Sequence, residues 1–216
     1  METIAEWPRE FARVISCTKC TAATDPNLLR DKSENVPQPG YIGRRYRNTG
    51  LLLVGQNPAV PPAHLSAEDL PYTSALRTLQ RESTTQNYVD LHAVLQEFIP
   101  KWPMYGKYFP LDECGLTVDD FAFVNLVRCR RTGKNSPPTR AIATNCTDEH
   151  FRRWVKLLSP KVVVFIGKWA NDRVRAQGAI SNIPCAFVNM QRSLADSERL
   201  ANRAEVVALV RKHCRR

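Results

Sequence analysis

The chain has 216 residues, which suits a single domain spanning 1–216 with a substantial core. Its 31 Lys and Arg against 21 Asp and Glu give a formal net charge of +10. That excess favours a polyanionic partner, because each neutralised phosphate releases counterions. The longest apolar run, Val162 to Ile166, is far too short to cross a bilayer, and the N-terminus carries Glu2 and Glu6 and lacks a signal-peptide core. A cytoplasmic protein with no membrane partner is expected.

Residues 1–15 mix apolar and charged positions and predict a short helix. The stretch from Asp25 to Asn48 is rich in Pro, Gly, Arg and Asn and reads as a long ordered loop. Leu51-Leu52-Leu53-Val54, ending in Gly55, has the pattern of a buried parallel strand. Helices are predicted over Tyr72–Gln80 and Val89–Phe98, followed by a loop with Trp102, Pro103, Tyr105 and Tyr108. A second strand is predicted from Phe121 to Val127, then an exposed basic loop from Arg128 to Pro138. A helix from about Arg140 to Leu158 stops at Ser159-Pro160. Lys161 to Gly167 is the clearest strand, followed by a helix over Lys168–Ala176, a strand over Pro184–Val188 and a helix over Glu198–Lys212. Strands separated by helices imply βαβ units: a three-layer α/β/α sandwich around a central four-stranded parallel sheet. Ligands of such sheets bind beyond the carboxyl ends of the strands.

Seven cysteines in a cytoplasmic chain are expected to stay thiols or to bind metal. Cys17 and Cys20 form a C-x2-C pair, while Cys129 and Cys146 flank a stretch rich in Arg, Lys and Pro. Four gathered thiolates bind Zn²⁺ or an iron–sulfur cluster, and the spacing leaves both open. Cys114, Cys185 and Cys214 read as packing or surface residues.

The order of several short motifs resembles the uracil-DNA glycosylase superfamily, nearest to its iron–sulfur branch (families four and five). The early C-x2-C precedes a strand and Gly55-Gln56-Asn57-Pro58; Asn125-Leu126-Val127-Arg128-Cys129-Arg130 is similar to the family's Asn-x-x-Lys/Arg-Cys-Arg; Cys146 follows inside a helix; Leu158-Ser159-Pro160-Lys161 leads into the next strand. The resemblance runs from about residue 14 to 212. It implies a 4Fe–4S cluster on Cys17, Cys20, Cys129 and Cys146, with zinc as the substitute. It places Asn57 where many relatives carry a water-orienting carboxylate. An amide cannot act as a general base, yet it orients water by hydrogen bonding. Gln56 would offer its backbone N–H or side chain to a base carbonyl. Asn125 would read the edge of a flipped pyrimidine, and Tyr72 would stack on it, a role for which a plain core tyrosine is the competitor.

Two departures bear on substrate. The family's His-Pro-Ser/Ala motif falls near Asn189-Met190-Gln191-Arg192-Ser193, so Asn189 replaces the imidazole that donates to the departing base. Ala59 stands close to where strict uracil enzymes place a Tyr that excludes a 5-methyl group. The expected function is therefore a monofunctional DNA glycosylase that excises uracil or a bulky 5-substituted pyrimidine, such as the glucosylated hydroxymethylcytosine of phage DNA, and leaves an abasic site. The alternatives are a non-catalytic, metal-stapled DNA-binding protein, an enzyme of free nucleotides, or ordinary uracil base-excision repair. Phosphate contacts are assigned to Arg44, Arg45, Arg47, Arg128, Arg130, Arg131, Lys134 and Arg192, with Leu194 as a wedge beside the flipped nucleotide. The partner is single- or double-stranded DNA, and a monomer is expected. Of the four histidines only His64 lies near the first motif, as an exposed loop residue.

Overall fold

The computed structural model describes residues 6–29, 36–59, 69–102, 109–132, 136–190 and 195–214. Its strands are β1 (Tyr41–Ile42), β2 (Leu51–Gly55), β3 (Phe121–Asn125), β4 (Val162–Ile166) and β5 (Cys185–Val188). Its helices are α1 (Trp7–Ile15), α2 (Tyr46–Thr49), α3 (Leu70–Arg81), α4 (Thr85–Phe98) and α5 (Leu111–Cys114), followed by α6 (Arg140–Cys146), α7 (Arg152–Leu158), α8 (Lys168–Ala176) and α9 (Asp196–His213).

The sheet runs β1-β3-β2-β4-β5. The four longer strands pair in parallel, and β1 adds an antiparallel edge by pairing Tyr41 with Phe123. The sheet is thus mixed and five-stranded, where four strands were expected. A two-residue strand carries no alternation, so β1 and the short helix α2 were hidden within a stretch that composition marks as loop. β2 and β3 are buried along their whole length, as parallel strands covered on both faces must be. Burying each such Val or Leu contributes about 1.5–3 kcal/mol.

Local signals set the helix boundaries. Thr84 Oγ1 accepts from Asn87 N–H at 3.2 Å and caps α4. Thr139 does the same for α6 through Ile142 N–H, at 3.3 Å. The helix predicted over 140–158 is present but widens into one π-helical stretch at Thr147–Phe151, and ends where Ser159 turns left-handed at φ 47° before Pro160. Helices α1, α3 and α4 pack on one another, whereas α8 and α9 pack on β4 and β5. No described helix is long and apolar enough to cross a membrane.

Candidate functional site

The parallel strands end together, and their carboxyl ends hold the motif residues. Gly55 of β2 lies in register with Asn125 of β3. The pairing continues past the strands: Leu126 N–H donates to Gly55 O at 2.8 Å, and Val127 N–H to Gln56 O at 2.9 Å. The Asn125 side chain lies across Gly55, since a Cβ there would sit 2.3 Å from Asn125 Oδ1 and 3.2 Å from the Phe123 ring. Glycine is therefore required by close approach of a neighbouring side chain. Asn125 is only 9% exposed.

Gln56 and Asn57 follow at the surface-facing end, both half-buried, and Ala59 is exposed. Asn57 Nδ2 donates to Pro58 O at 3.0 Å, which holds the amide and keeps Oδ1 as its acceptor. Asn189 follows β5, two strands from β2 and so about 10 Å away at ordinary sheet spacing. Its N–H donates to Asn202 Oδ1 at 2.8 Å, and Asn202 Nδ2 donates to Phe187 O at 3.0 Å, so α9 pins the turn after β5. The structure thus brings Gln56, Asn57, Asn125 and Asn189 to one edge. Val60–Glu68, which contain His64, and Arg192 and Leu194 lie outside the described residues, as do Lys134 and most of the 102–109 segment.

Tyr72 packs as the competing reading, a core tyrosine, has it. It is 4% exposed within the main core, and burial raises its phenol far above the ordinary range. The aromatic that does meet the motif is Phe123. It shares a strand face with Asn125 by alternation, contacts the Gly55 position and packs edge-on against Trp102 with centroids 5.6 Å apart. The i, i+2 spacing of Phe123 and Asn125 was the sequence signal for it.

The described basic residues assigned to phosphate separate into two groups, one exposed and one buried. Arg44, Arg45 and Arg47 are exposed, but at the amino ends of the strands, opposite the motif edge. There Arg45 N–H donates to Asp119 O at 2.8 Å, its side chain pairs with Asp120 at 2.9 Å, and Arg47 donates to Leu157 O at 3.3 Å. Arg128, Arg130 and Arg131 are buried, at 1%, 5% and 6% exposure. Arg130 pairs with Asp69 at 2.5 Å, and Arg131 pairs with Asp25 at 2.7 Å. Arg128 Nη1 donates to Pro39 O at 2.5 Å, with its guanidinium 4.8 Å from the centre of the Trp154 ring. The segment read as an exposed basic loop begins inside the protein. Exposed cations that do lie near the motif edge include Lys168, directly after β4, whose Nζ is held by Asp172 at 2.6 Å.

Cys20, Cys129 and Cys146 are buried and Cys17 is half-buried. The Cys146 thiol is hydrogen-bonded with Cys20, is buried, and feels Cys129; these push its pKa well above normal, against a bond from the Arg128 backbone. Cys20 and Cys146 also share a small apolar cluster with Val127, Ile142 and Ala143. Among the described residues, no three Cys, His, Asp or Glu side chains converge on a metal-sized site. His150 is buried, and burial with nearby Arg128 lowers its pKa to about 4, so it stays neutral.

A profile of the uracil DNA glycosylase superfamily matches residues 44–212. The chain belongs to that superfamily. Members of the superfamily are DNA glycosylases, hydrolases that act on DNA. No curated protein gives a significant match to the sequence. Within the superfamily frame, Gly55→Ala is expected to keep the fold but displace the Asn125 amide, because the added Cβ collides with Oδ1 at 2.3 Å. Base release should fall at least tenfold while the thermal midpoint shifts by the equivalent of about 1–3 kcal/mol, the usual cost of overpacking. Parallel melting curves and single-turnover assays check it.

Proposed function

We propose that the protein is a monofunctional DNA glycosylase of the iron–sulfur branch that flips a modified pyrimidine from DNA and hydrolyses its glycosidic bond. The observation that carries this reading is the pair of amides at the motif edge. Asn125 is buried across Gly55, and Asn57 is held by Pro58 immediately beyond. An amide presents both donor and acceptor, which suits the Watson–Crick edge of a flipped pyrimidine. Asn57 Oδ1 accepts a hydrogen from water and turns the water oxygen toward C1′. The C1′–N bond breaks with its electron pair leaving on the base, and the water oxygen bonds to C1′ and releases a proton to solvent. Because the sugar carries carbocation character, orientation suffices where a general base is missing. Asn189 donates neutrally to the departing base from the β5 side, and Gln56 supports a base carbonyl. No lysine stands at the strand-end motif positions, and Lys168 is engaged by Asp172, so the product is an intact abasic site.

The four cysteines are soft donors of the type a 4Fe–4S cluster takes, three of them buried and Cys146 in contact with Cys20, although in this structure they do not converge on a metal-sized site. Zinc is the substitute. The cluster would be held by Cys17, Cys20, Cys129 and Cys146 and would supply a rigid tie between the N-terminal loop and the segment after β3. The protein would act in the cytoplasm as a monomer on DNA, with Arg192 and Leu194 engaging the duplex.

Exposed Ala59 leaves room where a 5-substituent projects, and Trp102 against Phe123 starts a further wall. A large 5-substituted pyrimidine such as glucosylated hydroxymethylcytosine is therefore the favoured substrate, which in a bacterial cell would serve defence against phages with modified DNA. Ala59→Tyr should abolish release of the enlarged base and spare release of uracil. Gel assays of abasic-site cleavage on matched duplexes test this. Efficient uracil release by the unmodified protein, with none from 5-modified duplexes, would return the reading to ordinary uracil repair.

A further inference from the structure

β5 is an edge strand: β4 pairs with one side of it, and among the described residues no strand pairs with the other. Its backbone groups alternate between the two sides. Val188 O faces β4 and accepts from Gly167 N–H at 3.0 Å, so Phe187 O and Asn189 N–H point to the open side. A further parallel strand would meet that pair with the N–H and C=O of a single residue. The Asn202 carboxamide supplies both groups instead. Its Nδ2 donates to Phe187 O at 3.0 Å, and its Oδ1 accepts from Asn189 N–H at 2.8 Å. One side chain thus stands in for a neighbouring strand where the chain leaves β5.

Asn202 is itself held in place. It shares a face of α9 with Val206 and Val210, which are buried, and that helix packs on β4 and β5. A half-buried amide on this apolar stripe has two backbone partners in place of solvent. We propose that Asn202 is a positioning residue for base release: it fixes the backbone at Asn189, and with it the direction from which Asn189 donates to the departing base. This rests on the role given to Asn189 above. Asn202 acts through Asn189 and needs no contact with base or sugar. A donor displaced by about 1 Å costs as much as about 10²-fold in rate, so loss of this double bond to the backbone should be felt in chemistry. No other described side chain bonds Phe187 O and Asn189 N–H together.

The test uses the full chain and single-turnover release from duplexes carrying uracil or glucosylated hydroxymethylcytosine, with binding measured on an unmodified duplex. Asn202→Ala should slow release about tenfold or more and leave DNA affinity within about twofold. The decisive comparison is made in the Asn189→Ala background. There the same Asn202→Ala change should cost less than about twofold, because the group it positions is gone. Equal fold losses in both backgrounds would overturn the inference, since a merely structural residue costs the same in either. An unchanged rate in Asn202→Ala would overturn it too. If Asn202→Ala does not fold, Asn202→Asp decides by the same comparison: it keeps the acceptor for Asn189 N–H and loses the donor to Phe187 O. Wild-type protein that releases neither base would be a different failure, removing the glycosylase reading. Asn189→Ala at the wild-type rate would remove the role of Asn189, and the inference falls with either.

Discussion

Replacing Asn57 by Ala is expected to slow base release by about 10²–10³-fold, the scale of losing one preorganised hydrogen-bonding group in a transition state. DNA affinity should hardly change. Asn57 is half-buried at the strand end and fixed through Pro58, and in the proposed reaction its role is toward the water rather than the duplex. Asn125→Ala should behave differently. It removes the group that pairs with the base edge, so substrate choice should suffer along with rate, by about 1–3 kcal/mol. Single-turnover rates beside equilibrium binding on an uncleavable duplex separate the two outcomes. Full activity in Asn57→Ala would mean that another group orients the water.

The largest stability effect is expected at Asp25. Its carboxylate is fully buried and accepts from Arg131 Nε at 2.7 Å, Arg131 Nη2 at 3.1 Å, Asn27 N–H at 2.9 Å and Thr139 N–H at 3.2 Å. Thr139 caps the helix that carries Cys146, and its hydroxyl donates to Thr24 O at 2.7 Å. Asp25 therefore joins the first cysteine loop to the start of α6. Asp25→Ala should cost about 3–5 kcal/mol, since it leaves the Arg131 guanidinium buried and unpaired. Metal retention should fall with it. Burial alone would raise the Asp25 pKa, but Arg131 and the backbone N–H groups outweigh it and hold the carboxyl below its usual range. Its contribution is thus complete above the unfolded carboxyl's pKa of about 3.9 and is lost as pH falls through the lower, folded value. Denaturant unfolding of both proteins at neutral and acid pH should show the gap between them narrowing only at the acid end.

The same pair explains where the sequence was legible and where it was not. The apolar runs of β2 and β4 declare buried parallel strands, and Gly55-Gln56-Asn57-Pro58 and Asn125 fall at their expected strand ends. The stretch after Cys129 misleads because charge reads as exposure. Its arginines are buried by carboxylates 61 and 106 positions away, and no local pattern carries that pairing. Tyr72 was ambiguous for a related reason: its spacing in the first turn of α3 fits either a pocket wall or the core, and packing chose the core. Phe123 was missed because an apolar residue in an apolar strand carries no label beyond its i, i+2 spacing from Asn125.

The strand-end amides are proposed to orient the water and the base for glycosidic cleavage. The most direct measurement is single-turnover formation of abasic sites by wild-type protein on duplexes carrying uracil, thymine, hydroxymethyluracil or glucosylated hydroxymethylcytosine. Free base should appear together with an alkali-labile abasic site, fastest from the largest 5-substituent and with no covalent enzyme–DNA adduct on borohydride treatment. Salt-dependent binding to all four duplexes with no base released from any would contradict the account and leave a metal-stapled DNA-binding protein.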